Sequence, residues 1–145
     1  VIVRVNAPDT EAFAYDLAAL SQTSYRRVMV AKAEDPHALD ALAAFELIAL
    51  CETARGVVAA ETLAAHPAVV ALMWGAEDLV ASLGGTSSRT ADGRYRDVAR
   101  HARSRVLLAA GAHGRAAIDS VYLDITGLDG LRAEAVDAAF DRGEG

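Results

Sequence analysis

The feature that most constrains this chain is an alternation: five short apolar runs, rich in β-branched residues, separated by longer segments with helical periodicity. Residues 1–5, 28–30, 47–51, 69–74 and 118–125 read as strands. Between the first two, residues 9–20 put Phe13, Leu17 and Leu20 on one helix face behind an N-cap at Asp9 or Thr10. Pro36 opens a second helical segment in which Leu39, Leu42 and Phe45 recur at helical spacing. A third helix covers residues 58–65. After a Gly/Ser/Thr/Asp-rich loop at 84–93, a long helix begins at Tyr95, takes in Arg96 and runs to Ala112. A last helix covers 131–140, before a loop-like tail at 141–145. Near-continuous apolar strands separated by helices imply a parallel sheet buried on both faces, with right-handed crossovers. That leaves an open doubly wound sheet or a (β/α)8 barrel. No GxGxxG follows the first strand, which counts against a dinucleotide site. The length of 145 residues favours the open sheet, since a barrel takes about 250 residues.

Composition removes several function classes. A net charge of −6 leaves no basic footprint for nucleic acid. An apolar fraction of 53% excludes intrinsic disorder, and no apolar run approaches the roughly 18 residues of a membrane span. The one cysteine, Cys51, excludes an intrachain disulfide and points to a reducing, cytoplasmic setting. Cys51 itself reads as core.

The chemistry gathers at the carboxyl ends of the strands, where parallel α/β folds bind their ligands. The first strand offers Arg4 and Asn6, the second Lys32 and Glu34, and the third Glu52, Thr53 and Arg55. The fourth offers Glu77 and Asp78, and the fifth Asp124. Charge at a strand end is cheap where it meets solvent, but its recurrence on five strands implies a carboxylate-rich cavity faced by cations. Neighbouring parallel strands lie about 4.8 Å apart, so Glu52 and Asp78 at matching heights could share one hard cation such as Mg2+. Spacing alone favours two ion pairs over a metal, for example Glu52 with Arg4 and Asp78 with Arg55. His37, His66, His101 and His113 fall on helices or helix ends, away from this edge, and Trp74 reads as core. Ser87 and Ser88 sit in the Gly-rich loop, where a flexible connection is the plainer reading than a phosphate contact.

Five ordered motifs carry a family resemblance: Val3-Arg4-Val5-Asn6, Val30-Ala31-Lys32-Ala33-Glu34, Glu52-Thr53-Ala54-Arg55-Gly56, Gly75-Ala76-Glu77-Asp78-Leu79 with Leu83-Gly84, and Ile118 through Asp124. Together they resemble the citrate lyase β-subunit-like branch of the aldolase/citrate lyase superfamily. The Gly-Ala-Glu-Asp-Leu form points to the lyase branch rather than to the hydroxy-acid aldolases.

The resemblance implies a (β/α)8 barrel, with residues 1–145 forming a single domain that corresponds to about strands three to seven. The segments that would supply the remaining strands lie before Val1 and after Phe140. It implies an Mg2+-dependent carbon–carbon lyase acting on a 3-hydroxyacyl thioester, such as citramalyl-CoA, malyl-CoA or a citryl-like substrate on CoA or a carrier protein, and assembled as a homotrimer. Glu52 and Asp78 match the metal ligands and, with Arg4, the catalytic set. Arg4, Lys32, Glu52, Ala76 and Glu77 match substrate-binding positions. Ala31 stands where the family has Pro, and Gly127 where it often has Asp. A non-catalytic thioester-binding subunit and a hydroxy-acid aldolase are the competing readings.

Overall fold

The computed structural model describes residues 1–141; the proposed tail from 142 onward lies outside the described residues. Its elements are β1 (Ile2–Val5), α1 (Glu11–Leu20), β2 (Arg27–Val30), a 3-10 segment (Pro36–Leu42), β3 (Glu46–Cys51), α2 (Ala54–Val58), α3 (Ala60–Ala65), β4 (Val69–Trp74), α4 (Ala76–Ser82), α5 (Asp97–Ala112), β5 (Ala116–Ile118) and α6 (Leu128–Asp141). The strands form one parallel sheet in the order β1-β2-β3-β4-β5. Strand order therefore follows chain order, without the reversal that creates the ligand crevice of a doubly wound sheet. No helix among the described residues is long and apolar enough to cross a membrane.

Register explains the two-sided burial. The row Val5, Val30, Ala49, Leu72, Ala117 packs under the helices with Phe13, Leu20, Leu63, Val106 and Ala110. The alternate row runs Arg4, Met29, Ile48, Ala71, Ala116 on the other face. Ile48 and Ala71 on that row, and Leu50 beside Met73, are also buried. A register shift between Leu47 and Ile48 gives β4 one extra residue at Val70 and brings Cys51 level with Trp74.

Five local readings change. The Pro36 segment is 3-10 rather than α: its two fully buried anchors, Leu39 and Leu42, are three apart, and Asp35 caps it by accepting from the His37 amide at 2.9 Å. The helix expected over 58–65 is two short ones, split at Ala59. Tyr95 stays outside α5. Its ring meets Trp74 edge-on, with centroids 5.1 Å apart, under the Arg89 guanidinium at 3.7 Å. The fifth strand is only Ala116–Ile118, because Asp119 turns to Trp74 Nε1 and to Arg103 at 3.0 Å. Finally, α6 starts at Leu128, three residues early.

Candidate functional site

Glu52 follows β3 directly. Extending the Cys51–Trp74 register puts it beside Gly75 on the face opposite the helix-covered core. The two residues need each other's shape: a Cβ on Gly75 would lie 2.8 Å from the Glu52 Cβ. Glu52 is 6% exposed, and its Oε1 accepts the Lys32 amide N–H at 3.1 Å. Lys32 provides that amide from a left-handed backbone, φ 47°, an unusual conformation for a residue with a side chain. Burial pushes the Glu52 carboxyl above its usual range. The Lys32 amide opposes that, the Asp78 charge adds to it, and the Lys32 and Arg4 charges oppose it.

Asp78 comes from the first turn of α4 and is reached by Lys32 Nζ at 3.8 Å. A cleft of about 370 Å3 is lined by Arg4, Val5, Asn6, Ala31, Lys32, Glu52 and Asp78. Five of the residues singled out from sequence thus meet in one place: Arg4, Asn6, Lys32, Glu52 and Asp78. The ion pairs considered as the bland alternative are not those formed, since Arg55 turns to Glu34 at 3.8 Å and Asp78 is taken by Lys32. Thr53 fixes this corner. It accepts from the Gly56 amide at 3.0 Å as the cap of α2 and donates to Glu34 at 2.6 Å.

Three other positions sit differently. The Glu77 side chain leaves the cleft and accepts from the Ser88 hydroxyl, which is 2% exposed. Ala76 is buried, with its amide donating to Ser120 Oγ at 3.3 Å. Asp124 is not at a strand end. It closes an exposed turn by accepting from the Thr126 and Gly127 amides, both at 3.0 Å, and these bonds with the Thr126 hydroxyl lower its pKa. Sequence reading missed the roles of Gly75, visible only once register set it against Glu52, and of Ser88.

The donor set suits a hard divalent cation. Among the described residues no three His, Cys, Asp or Glu side chains gather to hold a metal. The cleft offers two carboxylates, and Mg2+ is commonly held by one or two carboxylates with water and substrate oxygens completing its shell. Cys51 supplies no soft ligand: it is buried on the helix-covered face, and burial raises its thiol to about 12. His66 is tied up elsewhere, its ring against Asp40 at 3.1 Å and the Ala68 amide at 3.2 Å.

The chain has known relatives in sequence and in fold. The chain is 56% identical over 138 residues to a citrate lyase subunit beta-like protein of Mycobacterium tuberculosis (strain CDC 1551 / Oshkosh), covering 95% of this chain and 50% of that protein. It is 36% identical over 140 residues to a (3S)-malyl-CoA thioesterase of Cereibacter sphaeroides (strain ATCC 17029 / ATH 2.4.9), covering 92% of this chain and 46% of that one. The crystal structure of protein CitE from Mycobacterium tuberculosis in complex with magnesium, acetoacetate and coenzyme A superposes with a TM-score of 0.93 at 56% identity, over 95% of this chain and 52% of that chain. The chain thus spans about half the length of the curated relatives it matches. The HpcH/HpaI aldolase/citrate lyase family matches residues 1–142, and the chain belongs to that family.

Proposed function

We propose that the protein carrying this chain is an Mg2+-dependent carbon–carbon lyase that cleaves a 3-hydroxyacyl thioester of the malyl-CoA or citramalyl-CoA type. The observation that carries the reading is the convergence of Glu52, Asp78, Arg4 and Lys32 on one cleft at the carboxyl edge of the sheet. The naming of relatives for citrate lyase and malyl-CoA, and the magnesium and coenzyme A of the CitE complex, support it. The sheet, with strand order following chain order, would be strands three to seven of a (β/α)8 barrel, in a cytoplasmic homotrimer.

Glu52 and Asp78 would hold the metal, which when bound supplies Lewis acidity to the substrate oxygens. Arg4 places a permanent positive charge in the same cleft and offsets the negative charge that develops on the thioester enolate as the carbon–carbon bond breaks. Lys32 adds a second cation at the wall and, through its amide, fixes the direction of the Glu52 carboxylate. The Ala76 amide and Glu77 side chain serve the site from outside the cleft lining, by holding the start of α4 that carries Asp78.

The test is turnover of malyl-CoA and citramalyl-CoA by the full-length protein with Mg2+, with products resolved chromatographically. The lyase reading expects acetyl-CoA with the 2-oxo acid as partner product. Release of free CoA and the hydroxy diacid without carbon–carbon cleavage would make it a thioesterase, as one relative is named. Glu52→Ala and Asp78→Ala should each lower turnover by about 100-fold or more, the scale set by loss of electrostatic stabilisation at a reacting centre. Full activity in both would sink the metal assignment.

A further inference from the structure

Resting on the metal reading above, we infer that Lys32 is a built-in counter-cation that occupies the divalent site's charge before the metal does, and that metal loading exchanges with it. Three observations meet at this one residue. Its amide donates to Glu52 at 3.1 Å, and its ammonium lies 3.8 Å from Asp78. Its backbone holds a left-handed φ of 47°, an unusual conformation for a residue with a side chain.

Two carboxylates facing one cleft, Glu52 and Asp78, repel each other when both are charged. A single lysine answers both carboxylates with different groups. The amide contact is a fixed part of the chain and persists whatever else binds. The ammonium contact is not fixed: both side chains are about half exposed, at 52% and 56%, and the stem is flexible. A divalent cation on Asp78 and Glu52 and the Lys32 ammonium on Asp78 are like charges competing for the same oxygens. The ammonium must give up Asp78 as the metal arrives, and its half-exposed, flexible stem lets it turn to solvent. The residue thus sets the affinity of the pair for a divalent ion through one exchangeable contact.

The experiment measures divalent binding without turnover, by calorimetric titration of Mg2+ into the full-length protein and its Lys32→Met, Lys32→Arg and Lys32→Gly variants at low salt. Lys32→Met keeps the stem and adds no new backbone strain. It should bind Mg2+ about ten-fold more tightly, the scale expected for removing a unit charge about 4 Å from a carboxylate ligand of the ion. The gain should shrink as salt is raised toward 0.5 M, because the pair is solvent-accessible. Lys32→Arg should stay within about two-fold of the parent, since it returns the charge. Lys32→Gly relaxes the left-handed backbone and removes the charge together, so it should tighten binding as Lys32→Met does and melt no lower than the parent. Unchanged or weaker Mg2+ binding in both folded Lys32→Met and Lys32→Gly, with the parent binding one ion, would overturn the counter-cation role and leave the metal site standing. A parent chain that binds no divalent ion at all would overturn both.

Discussion

At the scale of single residues, the site spends folding stability on function. Glu52 is almost fully covered, and burial holds its carboxyl above the usual range. A carboxyl whose folded pKa lies above its unfolded one is protonated more readily in the native state. Its destabilising cost is absent well below the unfolded value, grows as pH rises from there through the raised folded value, and is complete above it. Glu52→Gln keeps an oxygen to accept the Lys32 amide and never ionises. In the presence of a chelator the variant should therefore melt higher than the parent at neutral pH, and the gap should close as pH falls toward the ordinary carboxylate value of 4.5. Groups not coupled to Glu52 titrate alike in both proteins and cancel from the difference. Paired thermal melts across that range check it, and a gap that is constant with pH, or a less stable variant at neutrality, would contradict the burial argument. The same substitution should abolish the calorimetric Mg2+ signal.

At the scale of elements, the first four strands and the approach of Glu52 to Asp78 were legible because their signals are local. Apolar runs such as 69–74 announce a buried strand whatever surrounds them. Glu52 and Asp78 stand immediately past β3 and just inside α4, so recognising strands was enough to bring them together. What sequence could not give depends on contacts far along the chain. The fifth strand ends at Ile118 because Asp119 answers Trp74, 45 residues earlier, and Tyr95 leaves its helix to meet the same indole. Glu77 looks like a cleft residue until a buried Ser88 hydroxyl, 11 residues on, turns it away. Gly56 is a comparable case. It reads as a helix breaker, yet it lies within α2, where a Cβ would come 2.5 Å from the Ala33 carbonyl oxygen. That oxygen belongs to backbone and cannot swing aside. Gly56→Ala should therefore lift α2 from the turn after β2 and cost about 1–3 kcal/mol, visible in denaturant melts, despite alanine's better helix propensity. A neutral or stabilising outcome would mean the turn yields easily.

At the scale of the whole molecule, a parallel sheet in which strand order follows chain order leaves two outer strands. Among the described residues β1 pairs only with β2, and β5 only with β4. Such edges present unpaired amides and carbonyls, a template for pairing with another chain. Apolar side chains accompany both: Val1 and Ile2 at the β1 end are 93% and 48% exposed. After β5, Val121, Leu123, Ile125 and Leu128 are 59%, 56%, 90% and 61% exposed. Isolated exposed aliphatics are ordinary, but a run of them beside an open edge is a surface that gains from being covered. Produced as these 145 residues alone, the chain should therefore self-associate. Sedimentation velocity should show a weight-average mass that climbs with concentration above the 15.1 kDa of one chain. Placing charge on the β1 edge with Ile2→Lys and in the exposed apolar run after β5 with Ile125→Lys should return the distribution toward the single chain, because an edge lysine resists strand addition and a charge breaks up an apolar patch. Neither residue lines the cleft, so Mg2+ binding should survive the double substitution. A parent that stays monomeric at every concentration would mean the two edges are already protected within the chain. Association undiminished by the paired lysines would instead assign it to the helical face, where Val58 and Leu108 are exposed.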